Sequence, residues 1–181
     1  MAQNEGTELR GAVPPSSVEA EISVLGAMML DPNAVEKATE TLRAEDFFLA
    51  EHQEIYSAMA ALHDLRRPVD LTTVEAELRR RGSLEGVGGV ISLMKLQTAV
   101  PATANVGSYI QIVHEKSLLR RLIRVCGDIS RACYTQQNPL EEIFADAEKA
   151  AALAAAQTAA DAAAAAAQEA AAAAQNMPSG A

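Results

Sequence analysis

Cysteine, aromatic side chains and positive charge are all scarce in this 181-residue chain, and each scarcity excludes something. The two cysteines, Cys126 and Cys133, stand seven positions apart. On one helix that is ~10.5 Å along the axis, too far for a disulfide. So few cysteines, with no Lys/Arg-then-apolar leader over Met1 to Val13, predict a cytosolic, cytoplasmic protein. Lys and Arg number 15 against 24 Asp and Glu, a formal net charge of −9. A strongly basic nucleic-acid module is therefore disfavoured, because phosphate affinity comes from clustered cations. A local patch acting against the net sign stays open. Strongly apolar runs are also lacking. The longest weakly apolar stretch is an alanine tail broken by Gln157, Thr158, Asp161, Gln168 and Glu169, so no membrane-spanning helix is expected.

The patterns that carry chemistry are missing as well. A P-loop needs glycine-rich backbone followed by Gly-Lys-Ser/Thr, so that bare amides cradle phosphates while the lysine reaches the terminal ones. The Lys116-Ser117 pair follows Glu115 in a helical pattern, and Gly86-Val87-Gly88-Gly89 meets no lysine before Lys95. His52, His63 and His114 are scattered, without the spacing of a metal site. Carboxylate pairs such as Glu75/Glu77 and Glu141/Glu142 read as solvated helix faces, and nothing nominates a general acid or base. No catalytic residue, metal or cofactor is expected in this chain.

What is present is helical period. Residues 1–13 are polar and aperiodic and read as a disordered arm. Ser16-Ser17-Val18-Glu19 has capping-box spacing, and Val18, Ile22, Leu25 and Met29 follow at helical intervals. Asp31-Pro32 opens a short second helix that ends near Leu42. Phe47 and Phe48 can plug the core from a loop. A third helix from about Glu51 to Leu65 carries His52, Ile55, Met59 and Leu62 on one face. Thr72-Thr73-Val74-Glu75 predicts a second capping box, on a helix closed by Arg79-Arg80-Arg81 and Gly82. Val90, Ile91, Met94 and Leu96 suggest a fifth helix. From about Asn105 to Tyr134 apolar residues recur at threes and fours, a rod of about 45 Å. Gln136-Gln137-Asn138-Pro139 predicts a turn, and Leu140, Ile143, Phe144 and Ala147 resume the period. The expected fold class is all-α: a globular helical head over residues 14–104 and a long helical hairpin over 105–149. Residues 150–181, with 20 alanines, form a tail with almost nothing large to bury.

Basic residues fall into two groups, Arg79-Arg80-Arg81 and the set Arg120, Arg121, Arg124 and Arg131 on the long helix. One reading is a nucleic-acid surface, used by an accessory or regulatory protein. The other is helix-end compensation for the first group and partner-facing charge for the second, favoured because no aromatics interleave. Ile110, Leu118, Leu119 and Val125 lie off the main apolar stripe of the rod. A two-helix hairpin buries only one face of each helix within itself, so the excess implies a partner. These four, the four arginines, and Leu140, Ile143 and Phe144 of the returning arm make up the candidate interaction surface.

The segment Pro14 to Asp31, PPSSVEAEISVLGAMMLD, closely resembles the opening of bacterial replicative DNA helicases of the DnaB family. The similarity continues in order through Asp46-Phe47-Phe48, His52 with Ile55-Tyr56, Pro68-Val69-Asp70 with Thr73, Gly88-Gly89, and Pro101 with Asn105, Tyr109 and Ile112-Val113. It covers roughly residues 14–149; Gly89-Val90-Ile91-Ser92-Leu93 lacks the aromatic common before that leucine. The resemblance implies an all-α N-terminal domain that pairs with copies of itself, from dimer to hexameric ring collar. It also implies docking of a DnaG-type primase, and a helicase loader as a further partner. Family enzymes unwind DNA 5'-to-3' with ATP hydrolysis by a RecA-like motor that follows a linker helix; the alanine-rich segment stands in that place here. ATP and magnesium are implied only for the motor and DNA only through the full-length helicase. This chain alone is expected neither to hydrolyse ATP nor to unwind DNA.

Overall fold

The computed structural model describes residues 13–99, 105–135 and 139–152, with 155, 156 and 163, and no strand occurs among them. The arm before Val13, residues 100–104, the expected turn at 136–138 and most of the tail lie outside the described residues. The chain divides into two compact units, Met1–Arg120 and Arg121–Ala181.

In the first unit, α1 (Val18–Met28) is capped by Ser17, whose hydroxyl accepts from the Ala20 amide at 3.3 Å. The helix begins one residue later than a box built on Ser16 requires. Glu19 is therefore the second helical residue and lies exposed. α2 (Pro32–Thr41) starts as expected: Asp31 accepts from the Asn33 amide at 2.9 Å and Pro32 takes the first position. α3 spans Ala50–Asp64 and buries His52, Ile55, Tyr56, Met59 and Leu62. α4 (Leu71–Arg81) is capped by Asp70 instead of Thr72. Asp70 Oδ1 accepts from the Thr73 amide at 2.9 Å and the Thr73 hydroxyl accepts from the Asp70 amide at 3.0 Å. The box is reciprocal but displaced, because the extended backbone at Asp70 aims its short carboxylate at the open amides. Gly82, at φ +75°, ends the helix in a left-handed conformation that a Cβ would disfavour.

α5 (Gly89–Thr98) turns Leu93 and Leu96 inward, while Ile91 and Met94 face out. Two of the four residues that suggested the helix thus lie on its solvent side. α6 (Val106–Thr135) is a single 30-residue helix, and its first half belongs to this unit.

The core gathers around α1, which packs against α2, α3 and α5, while α4 packs against α3 and α5. Val24, Leu25, Met28, Ile55, Met59, Leu62, Leu78 and Leu93 are all buried within it. Phe47 enters from the loop before α3, its ring centroid 4.9 Å from that of Tyr56. Phe48 stays half-buried, so one phenylalanine, not two, plugs the core. The Tyr56 hydroxyl donates to the Leu42 carbonyl at 2.9 Å and closes the end of α2. Burial pushes its phenol up to about 12.

In the second unit α6 continues from Arg121 to Thr135, and α7 occupies residues 140–152. The Pro139 carbonyl accepts the Glu142 and Ile143 amides and so starts α7. The tail is helical at the few positions described. No described helix is long and apolar enough to cross a membrane.

Replacing Phe47 with Ala should lower the unfolding free energy by about 3–5 kcal/mol, the usual cost of emptying a buried aromatic site. Phe48→Ala should cost clearly less in the same denaturant titration. Equal losses would mean that both rings are core.

Candidate functional site

In the segment Leu42 to Leu49, Leu42, Asp46 and Phe47 are buried, and polar groups that lose water there need internal partners. Two buried carboxylates supply them. Asp46 Oδ2 accepts from the Arg43 amide at 2.7 Å, and Oδ1 accepts from the Ser117 hydroxyl of α6 at 2.6 Å. Glu21 of α1 accepts from the Phe48 amide at 2.6 Å and lies 2.7 Å from His52 Nδ1.

Arg120 completes this junction. Its guanidinium donates to the carbonyls of Asp46 and of Pro15, and it lies 5.7 Å from the centroid of the Phe48 ring. Val106, Ile110, Val113 and Ser117 are buried along the same side of α6. Two expectations are therefore corrected. Ile110, only 4% exposed, is a core residue, because the head itself covers that face. Arg120 is not part of an open arginine stripe, because it ties α6 to the loop and to the segment before α1.

The other candidates divide by exposure. Leu118, Arg121, Val125 and Ile143 are half-buried, whereas Leu119, Arg124, Arg131, Leu140 and Phe144 are exposed. Arg131 lies 3.2 Å from Asp128. The structure adds three outward apolar residues that the stripe argument missed: Leu122, Ile123 at 57% exposure, and Tyr134. Leu122 and Ile123 are ordinary members of the period and Tyr134 marks its end, and only packing shows which part of the helix is left uncovered. In the second unit the outward set is thus Leu122, Ile123 and Tyr134 on α6 with Leu140 and Phe144 on α7. Such a collection suits protein contact better than chemistry.

Arg79-Arg80-Arg81 is not an open basic patch. Arg80 forks onto both oxygens of Glu77, at 2.9 and 2.7 Å, and Arg81 Nε donates to Glu77 Oε1 at 2.8 Å. Arg81 also reaches Ser57 at 3.0 Å, and Arg79 pairs with Glu75. Hydrogen bonds from Arg80 and then Arg81 hold the Glu77 carboxyl down at about 2.

A family model, the DnaB-like helicase N terminal domain, matches residues 13–115. The chain belongs to this family. Replicative DNA helicase DnaC of Bacillus subtilis is 45% identical over 141 residues, covering 78% of this chain and 31% of that protein. The chain thus spans only about a third of the length of this relative and of replicative DNA helicase DnaB of Geobacillus stearothermophilus. The crystal structure of the N-terminal domain of DnaB helicase from Mycobacterium tuberculosis superposes with a TM-score of 0.73 at 38% identity, covering 76% of this chain and 97% of that one. A DnaB-like replicative helicase, described with its interactions with primase, gives a TM-score of 0.63 at 26% identity, covering 74% of this chain and 31% of that one. The helical DnaB N-terminal fold is therefore shared over 76% of the chain.

Two measurements check this electrostatic layout. Arg120→Ala should cost about 1–3 kcal/mol in denaturant unfolding, because its charged hydrogen bonds are internal. Arg124→Ala should stay within about 0.5 kcal/mol. Glu77 titrates lower in the fold than its ordinary 4.5, so its contribution is present above pH 4.5 and is lost as pH falls toward about 2. The melting-temperature gap between the wild type and Glu77→Gln should therefore be widest near neutrality and shrink across that window; a constant gap would contradict the assignment.

Proposed function

We propose that this chain serves as the collar domain of a replicative helicase, joining copies of itself into a ring and docking a DnaG-type primase. The observation that carries the reading is the outward apolar set Leu122, Ile123, Tyr134, Leu140 and Phe144 in the second unit. Burying such residues against a partner releases roughly 25 cal/mol per Å² of apolar surface, while leaving them in water gains nothing. Family membership and the relative described with primase support the choice of partners. DNA unwinding, ATP hydrolysis and any contact with a loader belong on this reading to the longer helicase, through its motor. Most arginines of the two groups speak against direct DNA contact as the main role: Arg79, Arg80 and Arg81 pair with carboxylates, Arg131 lies against Asp128, and Arg120 is engaged in the head, while Arg124 stays exposed.

Sedimentation equilibrium of the whole chain should show concentration-dependent association. A titration with the helicase-binding domain of a DnaG-type primase should show binding. Leu122→Arg with Phe144→Arg should abolish association while the head's thermal transition stays in place. A chain that remains strictly monomeric at high concentration and also ignores primase would overturn the proposal.

A further inference from the structure

The loop between α3 and α4 joins three features on consecutive residues. Arg66 holds φ +53°, the one left-handed non-glycine residue among those described. It stands where a helix end ordinarily uses glycine: the Arg66 amide donates to His63 and the Arg67 amide to Leu62, closing α3. A bulky side chain kept in that conformation at a conformational cost points to a use for the side chain. Leu65 beside it is 67% exposed. Arg66 and Arg67 are exposed and their side chains make no hydrogen bond or ion pair among the described residues, unlike the engaged Arg79, Arg80 and Arg81. The tip therefore presents one apolar side chain flanked by two uncommitted cations.

The chain also contains the complement. At 100° per residue, Leu140, Phe144, Glu148 and Glu141 of α7 fall within one sector of about 100°. All four are exposed, and neither carboxylate is ion-paired among the described residues. This face is an apolar pair edged by two anions.

We infer that the Leu65-Arg66-Arg67 tip of one copy docks on the Leu140/Phe144 face of a second copy, with Glu141 and Glu148 meeting the two arginines. The inference rests on the self-association proposed above and adds its head-to-arm component. The contact is heterologous, so each copy offers one donor and one acceptor surface, and repetition leads to a closed ring or an open chain of copies. A phosphate backbone would satisfy the arginines but leave Leu65 idle, so the observations favour the acidic, apolar helix face.

Charge reversal with the whole chain tests it. Arg66→Glu with Arg67→Glu, and separately Glu141→Arg with Glu148→Arg, should each weaken self-association by about tenfold or more in sedimentation equilibrium at low salt, with unchanged melting temperatures. An equimolar mixture of the two double variants should associate with near wild-type affinity, because each then offers the other an opposite charge. If the wild type associates but the mixture stays as weak as its components, this contact is wrong and the collar reading stands. If the wild type is monomeric, both fall. Unchanged association with lost single-stranded oligonucleotide binding in the Arg66/Arg67 variant would also overturn the inference, in favour of a nucleic-acid contact.

Discussion

Two buried carboxylates organise the head. Where a segment is buried its amides and carbonyls lose water, and each group left unpaired costs as much as a lost hydrogen bond. Asp46, within the Leu42 to Leu49 segment, takes the amide of Arg43, and Glu21 of α1 takes that of Phe48. Because the segment is held, Phe47 can enter the core against Tyr56, and the Tyr56 hydroxyl can close the end of α2. Because Asp46 has a second oxygen to offer, it also accepts Ser117 and fixes the first half of α6 to the same loop.

That anchoring separates two uses of one helix. Up to Arg120, α6 is a core element with a buried stripe and a committed guanidinium. From Arg121 onward the outward side chains include Leu122 and Ile123, and α7 adds Leu140 and Phe144. Charge is partitioned in the same manner. The arginines at the end of α4 pair with Glu75 and Glu77 on their own helix, whereas Arg66 and Arg67 and the α7 carboxylates keep theirs for water or for a partner. The acidic net charge is thus compatible with assembly, because local complementarity matters at a contact more than the overall sign.

Much of the fold was legible in the sequence, since helix-forming signals are local. Asp31-Pro32, Gly82 and the periods of α3 and α6 depend on residues a few positions apart, and they were placed within a residue or two. Cap register was less certain, because Ser16 or Ser17, and Asp70 or Thr72, offer nearly equivalent chemistry; backbone direction at the cap selects between them. The inward face of α5 was not legible for a related reason: a ten-residue helix with apolar residues all round has no preferred side until neighbours are in place. The candidate surface suffered most. Ile110 and Arg120 are indistinguishable by spacing from residues that stay outside, and no spacing rule links Asp46 to a serine 71 positions away.

The sequence by itself determined the all-α class, the order of the α-helices, the absence of a P-loop motif from these 181 residues, and the family resemblance, because each rests on short-range pattern. Tertiary structure alone decided which side of α6 the head covers, which arginines are engaged, and which carboxylates are buried. The reason is physical. Burial and pairing are set by what other segments bring alongside, and a polar or apolar residue carries no mark of that until the chain has closed around it.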